Sequence, residues 1–195
     1  MSAKFSQTTS DFLSWDQNLN LLRKLSNDGE YKIALLIAAG SFWGLRIGDI
    51  LQLQFNQILE KDDFEIVERK TKKTRKIKIN SQLKRFIGDC YKNMNQQSVD
   101  SKIFISQKGT VYSIQRINVI FKELKSRYNL KIDNYSTHSM RKTFGREVFN
   151  QSGQNAEIAL VKLSQIFHHS NPAITRRYLG ISQQELLDTY DTLSF

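Results

Sequence analysis

Proline occurs once in this 195-residue chain, cysteine once, histidine three times and glycine nine times. So few helix breakers predict long helices joined by short connections. A single cysteine, Cys90, excludes a disulfide framework and any cysteine-based zinc cluster. Apolar runs are short as well. The longest, residues 33–43, covers 11 positions, against the ~18–20 that a membrane-spanning helix needs. It reads as a core helix buried nearly all round. No apolar stretch follows Met1, so the sequence offers no secretory signal. Acidic residues are also in deficit. Against 29 Lys and Arg stand 19 Asp and Glu, a formal net charge of +10 with a pI near 9.7. That surplus points to a polyanionic partner, nucleic acid before membrane, because no strongly amphipathic basic helix stands out. A hydrophobic share of 39% and an aromatic share of 11% exclude a disordered chain.

No repeat, low-complexity stretch or linker divides the sequence. The reading is a loose start over residues 1–12 and one domain over 13–195. Ser14-x-x-Gln17 has the form of a capping box for a first helix, and Asn27-Asp28-Gly29 marks a turn. A buried helix covers 31–43, and another starts at the Gly44 break and runs to Leu53. Residues 64–68 and 75–79 alternate apolar and polar and predict a β-hairpin. Helices follow over 81–95, 113–127, 137–150, 156–167, 172–179 and 183–193, with the short apolar segment Ile103-Phe104-Ile105 between two of them. The fold class is mainly α with a small antiparallel hairpin or sheet, α+β.

Four segments carry chemistry. Gly44-Leu45-Arg46 is followed by Asp49, three residues on, a potential partner for a partly buried arginine. Between the hairpin strands, seven of the ten residues from Arg69 to Lys78 are basic, a phosphate-binding projection or a solvated charge run. His138 and Arg141 share one face of a helix, with Gly145 on the same side and Met140, Phe144 and Val148 on the buried face. Finally, His168-His169 precedes Asn171-Pro172, an N-cap with proline at the first helical position. Tyr178 lies nine residues after His169, behind Arg176 and Arg177, and Gly180 stands where the helix would end. Each segment alone has an ordinary structural explanation.

In this order and spacing they resemble the catalytic domain of the tyrosine recombinases, the phage-integrase and Xer-like family, over residues 12–182. The resemblance implies that family's fold and a catalytic set of Arg46, Lys70, His138, Arg141, His169 and Tyr178. Lys70 fits the hairpin position best, with Lys72 and Lys73 as alternatives. Asp49 and His168 would support the set. Arg69, Lys72, Lys73, Arg75, Arg176 and Arg177 would touch DNA. The family pattern has Leu-Gly-His where this chain has Phe167-His168-His169. The separate N-terminal core-binding domain of most members is not expected here.

The implied reaction is attack of Tyr178 on a phosphodiester, giving a 3′-phosphotyrosine and a free 5′-hydroxyl, with neither metal nor cofactor. Arg46 and Arg141 would grip the non-bridging oxygens and His169 would add a hydrogen bond. Donors of this kind are worth about 3–4 kcal/mol each. Lys70 would protonate the leaving oxygen, and His138 or the phosphate surroundings would help remove the tyrosine proton. The implied partners are double-stranded DNA, further copies of the chain in a tetrameric synapse, and accessory DNA-bending proteins. The implied setting is cytoplasmic and nucleoid-associated, without membrane. Leu186, Leu187, Tyr190 and Leu193 in the tail read as a helix that docks on a neighbouring copy or folds back on its own core. Competing readings are a recombinase-like module that binds DNA without cutting it, a type IB topoisomerase, and a basic RNA-binding protein.

Overall fold

The computed structural model describes residues 11–94 and 98–181. Helix α1 (Trp15–Asn27) starts on the expected capping box: Ser14 Oγ accepts from the Gln17 N–H, and the Gln17 side chain accepts from the Ser14 N–H. Its apolar face (Leu21, Leu22 and Leu25) packs on α2 (Tyr31–Trp43). Nearly every α2 residue from Ile33 on is buried, so the helix shows no apolar stripe, having no solvent side to contrast with one. It stops at Gly44, whose φ of +60° lies in the left-handed region. A Cβ there would sit 2.5 Å from the Phe144 ring. Backbone and space therefore both require glycine.

After Gly44 the chain departs from expectation. The predicted helix to Leu53 is a single turn, α3 (Ile47–Ile50), followed by a second turn, α4 (Phe55–Ile58). Gln54 is extended between them and starts α4 with its own capping box to Gln57. Strands β1 (Asp63–Val67) and β2 (Thr74–Lys78) pair antiparallel, Phe64 opposite Ile77 and Ile66 opposite Arg75. Each strand lies one residue before its predicted span. Phe64 and Ile77 face the core, where the Phe64 ring meets Trp43 edge-on at 4.8 Å. Helix α5 (Ser81–Asn93) follows on an Asn80 cap, α6 (Ile114–Arg127) on a Ser113 cap, and α7 (Thr137–Asn150) covers its predicted span. Between α5 and α6, two isolated bridges, Gln54 to Lys102 and Ile105 to Val111, frame the buried Ile103 and Phe104.

The described chain forms two compact units, with the boundary inside α7 between Phe144 and Gly145. The core of the first is built on α2 and includes Phe55, Phe104, Phe121 and Met140. The second contains a 3-10 turn (Gly153–Asn155), α8 (Ala156–Phe167) and α9 (Pro172–Leu179), around buried Leu160, Leu163, Phe167 and Leu179. Here Gly145 allows a close approach: a Cβ on it would lie 2.5 Å from Leu179 and 3.1 Å from Phe167. The predicted tail helix over 183–193, and nearly all of the predicted loose start, lie outside the described residues. No described helix is long and apolar enough to cross a membrane.

Gly44→Ala combines left-handed strain with overpacking against Phe144. It should lower stability by about 2–4 kcal/mol, read from urea unfolding midpoints at constant slope.

Candidate active site

The first unit carries a cleft of about 390 Å³ whose lining includes Arg46, Asp49, Arg69, Lys70, His138 and Arg141. Four of the six residues implied by the family resemblance thus meet at one opening. Three elements place them. Arg46 is the extended N-cap residue of α3, Lys70 sits on the turn between β1 and β2, and His138 lies on the first turn of α7 with Arg141 three residues on. That turn is held by Asn118 of α6, whose Oδ1 accepts from the Thr137 N–H at 3.1 Å. Arg141 is buried and its Nη1 donates to the Gly44 carbonyl at 2.5 Å.

The sequence leaves Asp49 as a potential partner for Arg46. Instead Arg46 Nη1 donates to Glu68 Oε2 at 2.5 Å, and Asp49 Oδ1 accepts from the Arg69 N–H at 2.9 Å. The i, i+3 spacing misleads because Arg46, with φ −74° and ψ 145°, lies outside the helix that carries Asp49. Asp49 thus holds the backbone next to Lys70.

Arg75 also departs from its expected place among the DNA contacts. Alternation along β2 turns Arg75 inward with Ile77, while Thr74, Lys76 and Lys78 face out. Its Nη2 donates to the Trp43 carbonyl at 2.5 Å, and its Nη1 lies 3.8 Å from Glu68 Oε1. Burial pulls its pKa down and Glu68 pulls it back. Arg69, Lys70, Lys72 and Lys73 remain exposed on the turn.

Sequence reasoning missed Glu68, whose side chain is 0% exposed. The available signal was one carboxylate at the head of a run otherwise basic or neutral, followed by the Arg75 that a two-residue period turns inward.

The second unit holds the other two residues. Asn171 Oδ1 caps α9 at the Ile174 N–H, Pro172 opens it and Gly180 closes it in the left-handed conformation. Tyr178 sits on its last turn. Its ring stands edge-on to Phe167 at 5.5 Å and to His169 at 5.3 Å. His169 Nδ1 shares a hydrogen bond with Thr175 Oγ1 at 2.9 Å, which fixes the rotation of the imidazole. His168 is the residue that ends α8, at φ +52°. It therefore occupies the left-handed position that glycine fills in the family pattern, and His169 is the histidine beside Tyr178. Arg176 bonds Glu157 at 2.5 Å on α8, whereas Arg177 is exposed.

Residues 12–185 match the model of the phage integrase family. The chain belongs to that family. It is 36% identical over 148 residues to the probable integrase/recombinase YoeC of Bacillus subtilis, an alignment covering 75% of this chain and 76% of YoeC. With the tyrosine recombinase XerH of Campylobacter jejuni the identity is 23% over 184 residues, 90% of this chain and 50% of XerH. Among solved structures, XerA recombinase superposes with a TM-score of 0.73 at 16% identity, over 100% of this chain and 68% of XerA. The Tn1549 transposon integrase, in complex with transposon right end DNA, superposes at 0.73 with 20% identity, over 96% of this chain and 67% of that one. The mostly helical fold with one two-stranded antiparallel sheet is that of the tyrosine recombinase catalytic domain. By family the chain is a tyrosine-type site-specific recombinase, and it spans about half of XerH.

Partial burial, then the charges of Arg141, Lys142, Lys70 and Arg46, lower the pKa of His138 from its ordinary 6.5. The imidazole is therefore neutral at pH 7. As pH falls through 6.5 the unfolded chain takes up the proton first, so this group costs stability on acidification. An NMR titration of the free protein should place its midpoint below 6.5, and Lys70→Ala should move it upward. A wild-type midpoint at or above 6.5 would contradict this electrostatic picture.

Proposed function

We propose that this recombinase cleaves and rejoins double-stranded DNA through a 3′-phosphotyrosine on Tyr178, and that the cleft of the first unit takes the scissile phosphate. The supporting observation is the convergence of Arg46, Lys70, His138 and Arg141 on one opening of about 390 Å³. Two guanidiniums stay charged at every working pH and offer paired N–H donors to non-bridging oxygens. Negative charge grows there as the tyrosine oxygen bonds to phosphorus and the bond to the 5′ oxygen breaks. Lys70, on an exposed turn, gives a proton to that leaving oxygen. The tyrosine proton passes to the neutral His138 or to water. His169, beside Tyr178, donates to the phosphate. In the reverse step a 5′-hydroxyl attacks the phosphotyrosine and expels Tyr178, so the bond energy is kept and no external energy source is consumed.

The exposed Arg69, Lys72, Lys73 and Arg177 extend the contact along the DNA backbone. Exchange between two duplexes cuts four strands, and each cut occupies one tyrosine. The full reaction therefore assembles four copies.

The deciding experiment uses suicide duplexes nicked near the scissile phosphate, carrying randomised sequence, in EDTA, stopped with SDS. Wild type should give a slowly migrating covalent adduct, and sequencing the trapped DNA gives the site. Tyr178→Phe should give none while binding the same DNA within about threefold. An undiminished adduct from Tyr178→Phe removes Tyr178 from the role of nucleophile. Salt-sensitive binding without any wild-type adduct favours a module that holds DNA and does not cut it. Affinity should fall by orders of magnitude between about 50 and 200 mM salt if several phosphates are neutralised. A flat response excludes the backbone-binding role.

A further inference from the structure

Glu68 closes the base of the turn that carries Lys70. Its backbone N–H donates to the Lys73 carbonyl at 3.0 Å, and its carbonyl accepts from the Lys72 N–H at 2.8 Å. Its carboxylate, 0% exposed, collects donors from two directions. Oε2 accepts from Thr71 Oγ1 of the same turn at 3.0 Å and from Arg46 Nη1 at 2.5 Å, while Arg75 Nη1 stands 3.8 Å from Oε1. One buried residue is thus fastened to the Lys70 turn by backbone and side chain, and to Arg46 by a short charged bond.

Glu68 does not line the cleft, whereas Arg46 and Lys70 do. Its influence on a phosphate bound there runs through them. A charge-assisted bond to a fully buried carboxylate sets a guanidinium direction far more firmly than solvent would. The plane of Arg46 is thereby fixed before DNA arrives. Preorganised donors of that kind lower a transition state because they need no reorientation as charge develops.

We propose that Glu68 is the positioning residue for Arg46, and that through the turn it closes it also ties the placement of Lys70 to that of Arg46. The proposal rests on the recombinase reading above. It adds a residue that acts at a distance from the reacting atoms and that links the phosphate grip to the protonation of the leaving oxygen.

The test measures adduct formation by wild type, Glu68→Gln and Glu68→Asp on three versions of one suicide duplex. These carry an ordinary scissile phosphate, a methylphosphonate there, and a sulfur in place of the 5′ leaving oxygen. Glutamine keeps the shape and removes the charge. Aspartate keeps the charge and draws it back by one methylene. On the ordinary phosphate both variants should be slower by about tenfold to a hundredfold, short of the loss caused by deleting a direct donor. DNA binding should change by less than about threefold.

On the methylphosphonate, where less charge builds up for Arg46 to meet, the gap to wild type should shrink to within about threefold. On the sulfur-substituted duplex, whose leaving group needs no proton, the gap should shrink partially. Equal rates on the ordinary phosphate overturn the proposal. So does a deficit of the same size on all three substrates, which is what mere loss of folded protein would give. If Glu68→Gln fails to fold by circular dichroism, Glu68→Asp carries the comparison. A wild type that forms no adduct on any duplex instead overturns the recombinase reading itself, so the two failures are distinct.

Discussion

Two carbonyl oxygens in the elbow between α2 and α3 accept from arginines far away in sequence. Arg75 of β2 reaches the Trp43 carbonyl and Arg141 of α7 reaches the Gly44 carbonyl, each at 2.5 Å. These carbonyls end a helix and have no further turn to bond to, so they are natural acceptors for a cation at a helix C-terminus. The next residue but one is Arg46. The hairpin, α7 and Arg46 are therefore located against one another by a few residues of backbone. Gly44 is what permits this, because only a left-handed residue without a Cβ both stops α2 and leaves room for the Phe144 ring. An elbow pinned by two guanidiniums orients Arg46 more rigidly than a solvated loop.

Local rules made much of this fold legible. α7, α8 and α9 cover their expected spans, α9 on its Asn171 cap, Pro172 and Gly180, and the Ser14 box starts α1. The strand ends of the hairpin were off by a single residue, within the reach of an alternation pattern that fixes the inward face but not the ends. What the pattern did not convey was the break after Ile50. Residues 47–58 make two one-turn helices because Gln54 is extended and its side chain reaches Asp100, a partner 46 residues away. Such a tertiary tie leaves no mark on local periodicity.

The site was legible to the extent that its groups are grouped in sequence. His138 with Arg141 fall within one helix, and His169 with Tyr178 within one helix and the short turn before it, so local spacing carries much of their geometry. Arg46 and its counter-ion are 22 residues apart, and the nearer carboxylate, Asp49, was the candidate that local spacing offered. The distinction turns on a single ψ angle. With Arg46 helical, its side chain would share a face with Asp49. With ψ at 145°, it leaves the helix and meets the hairpin. Asp49 is then left to hold Arg69, so the two acidic residues divide the work. Asp49 secures the start of the turn through its backbone, and Glu68 secures the guanidinium beside it. The same reasoning explains Arg75. Counted with the basic run it looks like a phosphate contact, but a two-residue period turns it inward.

Proton traffic in the proposed reaction follows from the same charges. A phenol is a far weaker acid than a protonated imidazole, and burial and the surrounding cations lower the pKa of His138 further, which disfavours full proton transfer before attack. Free tyrosinate formed in advance is therefore a poor route. Two effects reduce the cost once DNA is bound. The phosphate brings negative charge to the cations that depress His138, so the imidazole becomes a better acceptor. Those cations also favour an anionic oxygen approaching phosphorus, which makes the tyrosine a stronger acid as the bond forms. Both effects depend on the substrate being in place, so proton loss is expected to accompany attack rather than precede it. In the proposed reaction, charges that keep the histidine of the empty cleft neutral thus favour loss of the tyrosine proton only once a phosphodiester is in place.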